Sequence, residues 1–145
     1  MFTLHSSETE YYDYGITRTN IANGTITVIR TEGNVIPDAV NTWASLLVLT
    51  MQEWDSDRPI AVIHDLTHPN QGVTPYVRQR TIDVMKQIPE NMIVYNALIL
   101  PDTFIRRIID MFTRTPIFQR ENVHIRIFGC QRTAQQWLEK QLAKV

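Results

Sequence analysis

A single cysteine, Cys130, stands in 145 residues. It excludes an internal disulfide and fits a reducing compartment. No apolar run approaches the roughly 20 residues that a bilayer span needs. The start, Met1-Phe2-Thr3-Leu4-His5-Ser6, has neither the basic flank nor the apolar core of a signal peptide. The chain therefore reads as cytoplasmic, with no membrane span. Charge of one sign is missing too. A formal net charge of −1 exerts no overall pull on nucleic acid or an anionic membrane. Also absent are a Gly-rich phosphate loop, a serine-nucleophile elbow, zinc spacing, repeats, low-complexity tracts and an interdomain linker. No cofactor, metal or catalytic set is expected, and the chain reads as a non-enzyme.

What is present is the composition of a folded domain, 43% hydrophobic and 20% charged. One domain of this length buries roughly 70% of its unfolded surface. Residues 1–60 hold three Arg against eight acids, and residues 101–145 hold eight Lys and Arg against four. The simplest reading is that the two ends of one domain neutralise each other.

The segment Arg58-Pro59-Ile60-Ala61-Val62-Ile63-His64-Asp65-Leu66 organises the rest. Five residues from Pro59 to Ile63 carry no polar side chain, too few for a helix and enough for a strand buried on both faces. A polar loop, Thr67 to Gly72, follows where ligands and partners gather in open α/β sheets.

Before that strand, Phe2–His5 reads as a short edge strand and Ser6–Tyr14 as an irregular connector. Asn23-Gly24 between two β-branched runs, Ile16–Ala22 and Thr25–Thr31, predicts a hairpin with a type I′ turn. Pro37 and Asp38 suit a helix start. Val40, Trp43, Ala44, Leu47, Met51 and Trp54 then recur at helical spacing to about Asp55, and Leu46 and Leu49 widen the stripe. Thr74-Pro75 opens a second helix with Val77, Val84, Met85 and Ile88 inward, stopped by Pro89. Met92–Leu100 is the next buried strand. Asp102 or Thr103 caps a third helix with Phe104, Ile105, Ile108, Ile109 and Phe112 inward, closed by Pro116. Val123–Phe128 alternates as a strand. After Gly129 a terminal helix carries Ala134, Trp137, Leu138 and Gln141 inward.

Strands alternating with helices imply crossover connections and a largely parallel sheet. The expected fold is α/β, a mixed sheet of four or five strands with an N-terminal antiparallel hairpin and four helices. It is one domain over 1–145. Residues 1–24 supply the edge strand, connector and first hairpin strand, and residues 25–145 the alternating body.

Three segments carry a likeness: Glu32-Gly33-Asn34-Val35-Ile36-Pro37-Asp38, Ile60-Ala61-Val62-Ile63-His64-Asp65-Leu66, and Asn96-Ala97-Leu98-Ile99-Leu100-Pro101-Asp102-Thr103-Phe104-Ile105-Arg106-Arg107. Over residues 25–142 the chain resembles the STAS superfamily, and within it the SpoIIAA-like group of small bacterial domains. The resemblance implies a regulatory module that binds other proteins, as in anti-sigma-factor switching. Some relatives of the fold look similar to lipid-binding domains. The switching members carry a phosphorylatable serine between the central strand and the next helix. This chain has Asp65-Leu66-Thr67-His68-Pro69-Asn70-Gln71-Gly72-Val73-Thr74 there, with no serine.

Thr74 is the nearest replacement as a phosphorylation site, because a helix N-terminus favours anions. Its simpler role is a cap worth about 1 kcal/mol; Thr67 has the weaker claim to phosphorylation and the same simpler role. His64, Asp65 and His68 form the one close cluster of metal-ligand types, but neighbours on a strand point to opposite faces. A strand-end Asp65 that accepts backbone N–H bonds explains the loop better. Cys130 follows a glycine at a helix start, which lowers a thiol pKa, yet free cysteines are usually buried and structural. Arg106, Asp110 and Arg114 form a solvated ladder, and Arg107 adds positive charge for an acidic partner or headgroup. Phe112, Ile117, Phe118 and the tyrosines at 11, 12 and 14 cover a sheet face, or else form a homodimer seam or a greasy pocket.

The expected function is protein interaction through Asp65, Thr67, His68, Asn70, Gln71, Thr74, Arg106 and Arg107, with a protein partner or a second copy. The alternative is a carrier of a small apolar ligand or lipid in a pocket between helix and sheet.

Overall fold

The computed structural model describes residues 8–54, 57–68 and 72–144; the side chains of 103, 104, 106, 112 and 113 fall outside the description. The edge strand expected at Phe2–His5 lies outside it, as do Asn70, Gln71 and the side chains of Phe104, Arg106 and Phe112.

The strands are β1 (Thr9–Tyr12), β2 (Ile16–Ile21), β3 (Ile26–Thr31), β4 (Ile60–Asp65), β5 (Val94–Ile99) and β6 (Val123–Phe128). The helices are α1 (Pro37–Glu53), α2 (Pro75–Lys86), α3 (Asp102–Arg114) and α4 (Gln131–Leu142). Six strands form one mixed sheet in the order β1-β2-β3-β4-β5-β6. The α/β fold with its N-terminal hairpin and four helices is as expected. The sheet is one strand larger than the upper expectation, because the segment read as an irregular connector contains β1. β1 pairs antiparallel with β2 from Thr9↔Thr19 to Tyr12↔Ile16. Its side chains are mostly exposed, so it shows no hydrophobic alternation.

β2 and β3 pair antiparallel, and β3 to β6 are parallel. The hairpin closes one residue earlier than the Asn-Gly signal implied. Ala22 and Asn23 take positive φ, 53° and 57°, and Gly24 N–H donates to the Ile21 carbonyl at 3.1 Å. Gly24, at φ 82°, then absorbs a third left-handed turn at no side-chain cost.

Each crossover advances the sheet by one strand, so crossovers of one hand lay α1, α2 and α3 on the same face. Ile60, Val62, Val94 and Leu98 point to that face, while Ala61, Ile63, Ala97 and Ile99 meet α4 through Ala134 and Leu138. All six residues of β4 are buried. The dry segment is an interior strand.

Helix starts follow their local chemistry. Pro37 opens α1, and Thr74 caps α2 by accepting the Val77 N–H at 3.1 Å. Two details differ from expectation. Pro101, not Asp102 or Thr103, occupies the N-cap of α3, and Asp102 begins the helix, where its charge complements the dipole. On the same helix Met111 is buried and Ile109 is 45% exposed. Ile109 follows Ile108 by about 100° around the axis and so leaves the core-facing stripe. Leu49 on α1 is likewise exposed rather than covered.

The far edge is tied by Arg18. Its Nε donates to Glu10 at 2.6 Å, and its Nη1 reaches Glu53 at 2.8 Å and Thr50 at 3.1 Å, joining β1, β2 and the end of α1.

Candidate functional site

Three helices bring three apolar stripes to one sheet face, and they do not fill the space between them. A cavity of about 160 Å³ remains. Its floor is Ile60, Val62 and His64 of β4 with Val94, Asn96 and Leu98 of β5. Val40, Trp43, Leu47 and Met51 of α1, Val77 and Val84 of α2, and Ile108 and Met111 of α3 form its walls. At the carboxyl end of the strands the lining passes to Asn34, Val35, Leu66 and Val73, in the loops after β3 and β4. Trp43, Leu47 and Met51 are only half-buried for this reason: their stripe faces a void.

Two polar side chains stand in this apolar floor. His64 Nε2 lies 3.0 Å from Oδ1 of Asn96, across neighbouring parallel strands. The Asn96 amide nitrogen donates to the His124 carbonyl at 3.5 Å, which turns the amide oxygen toward the imidazole. Burial pushes the His64 pKa below its ordinary value, against the opposing pull of the Asn96 hydrogen bond. The ring is neutral at pH 7.

Asp65, the next residue, points to the other face. Its Oδ2 accepts from Arg30 Nε at 2.9 Å, and its Oδ1 accepts from Thr67 N at 3.2 Å and Thr67 Oγ1 at 2.7 Å. Burial alone would raise its pKa, but these hydrogen bonds and the Arg30 charge outweigh that and lower it. Asp65 is buried, so it holds Thr67 rather than offering a carboxylate at the rim. His64 and Asp65 do not converge. Among the described residues no group of three His, Cys, Asp or Glu side chains could hold a metal ion.

The other residues of the expected contact face are spread out. Thr67 is exposed, His68 is half-buried, and Arg107 is exposed on α3. Thr74 has its hydroxyl engaged in capping. Cys130, expected to be buried, is exposed at the start of α4, and its thiol pKa is lowered by the Thr133 hydroxyl at 3.5 Å. Phe118 is buried and lines the cavity, whereas Tyr11 is 81% exposed. Of the set read as a sheet cover, a dimer seam or a greasy pocket, Tyr14 and Phe118 line this cavity, and among the described residues most of its wall comes from α1, α2 and the sheet.

Among the described residues no helix is long and apolar enough to cross a membrane. No family model matches the chain, and no curated protein or solved structure gives a significant match.

Proposed function

We propose that this protein works by binding rather than by catalysis, and that it holds a small apolar molecule between the sheet and α1–α3. The cavity carries this reading. Its walls are aliphatic and aromatic, with few polar groups, the usual make-up of a small-molecule site. A void of about 150 Å³ lined by such residues stays dry and takes up benzene-sized molecules, so the space here suits a single ring or a short chain. Native mass spectrometry of protein purified gently from cells tests it. A bound small molecule is expected, and it should disappear when Leu47→Trp fills the cavity. Repeatedly bare protein, with no gain in melting temperature from small hydrocarbons, would count against the reading.

A second reading follows from the STAS-like sequence: a regulatory or protein-interaction module. Exposed Thr67, anchored through buried Asp65, favours it, because that bond holds a polar side chain in place at the surface just past the strand end. Replacing exposed Arg107 by alanine should then weaken partner binding at an unchanged melting temperature, whereas Thr67→Ala, which also removes a hydrogen bond to buried Asp65, should lower both.

A further inference from the structure

The cavity floor also restricts the chemistry of what it holds. The hydroxyls of Thr50 and Thr81 line the cavity, but each donates to its own helix, to the Leu46 carbonyl at 2.8 Å and the Val77 carbonyl at 2.7 Å. Asn96 is turned toward His64 on one side and His124 on the other. His64 differs. Among the described residues Asn96 is the ring's one side-chain hydrogen-bond partner, and it occupies only Nε2.

An amide oxygen facing Nε2 requires that Nε2 carry the proton. A neutral imidazole protonated there has a bare Nδ1, which can only accept. His64 lines the cavity, so a ligand donor held there can pair with that acceptor. A carboxylate has no hydrogen to offer and would lose its hydration among aliphatic walls.

We infer that the cavity's ligand is an uncharged, ring-sized apolar molecule bearing one hydroxyl or N–H, and that it donates this hydrogen to Nδ1 of His64. This rests on the cavity-binding reading above and adds the ligand's polar group and its charge.

Calorimetric titration of the full chain at pH 7.5 tests it with three probes: phenol, toluene (a methyl in place of the hydroxyl) and benzoate. The phenol-to-toluene affinity ratio should fall about tenfold in His64→Leu, the worth of one hydrogen bond to a buried acceptor. Benzoate should not bind. A ratio unchanged by His64→Leu, or benzoate binding as well as phenol, overturns the assignment while toluene binding keeps the cavity reading intact. If neither phenol nor toluene binds, both ideas fall together. Nitrogen-15 spectra of the unmodified protein give an answer even if the variant does not fold. The His64 proton is expected on Nε2, with the Nδ1 signal moving on addition of phenol and not of toluene. A proton found on Nδ1 overturns the proposal.

Discussion

His64 and Asn96 face each other from adjacent strands, 32 positions apart in sequence, with Nε2 and Oδ1 separated by 3.0 Å. Burial favours the neutral imidazole, against the opposing pull of the Asn96 hydrogen bond, and this gives stability a pH dependence. In the unfolded chain His64 takes a proton near pH 6.5. In the folded chain its pKa is lower, so between the two values the unfolded state binds more protons and stability rises with pH. The contribution is complete above about pH 6.5 and is lost as pH falls toward the folded pKa, at no more than about 1.4 kcal/mol per pH unit. Denaturant titrations from pH 8 to pH 5 should show this decline, and His64→Gln should flatten it. An equal slope in both proteins would contradict the assignment.

Gly33 packs on the backbone of Tyr14 so closely that a Cβ there would overlap the Tyr14 carbonyl oxygen. Tyr14 and Gly15 are themselves left-handed, with φ of 67° and 73°, and Glu32 N–H donates to the Gly15 carbonyl at 2.9 Å. Both partners in the clash are main chain, so neither can rotate away. Gly33→Ala should cost about 2–3 kcal/mol, in the range of overpacked sites, measured as a lower urea midpoint. A loss below about 0.5 kcal/mol, the level of an ordinary surface substitution, would mean that this approach is not tight.

Arg120 closes the end of α2. Nη1 donates to the Met85 carbonyl and Nη2 to the Ile88 carbonyl, each at 2.8 Å. These carbonyls lie where a helix runs out of its own donors, and a cation there also complements the dipole. Arg120→Ala should cost about 2 kcal/mol, and Arg120→Lys should recover only part because one ammonium cannot span both oxygens in a fork. Equal stability of the Ala and Lys variants would show that the fork is unimportant.

Val62 lies on the cavity floor. Val62→Ile adds one methylene at a strand position that suits β-branched residues. In a filled core it would cost about 1–3 kcal/mol. Against an empty space it should raise stability by about 0.8 kcal/mol. The sign of the change in unfolding free energy therefore reports directly on whether the space is open.

Much of the frame was legible because its signals are local. Pro59–Ile63 could only be a strand with two dry faces, and Thr74-Pro75 supplied both a cap and a fixed φ for α2. β1 was missed because its exposed side chains carry no alternation; backbone pairing to β2 alone makes it a strand. Ile109 and Met111 exchanged roles because the apolar residues of α3 run in consecutive pairs, and only the neighbouring elements select one edge of such a stripe.

The succession of strands and helices, and the places where they start, follow from steric and hydrogen-bonding preferences that act within a few residues. The cavity and the state of His64 do not. A volume left between three helices and a sheet depends on side chains from distant segments, and a proton's place on an imidazole depends on which atom of Asn96 faces it. Such quantities are set only when the chain has closed on itself.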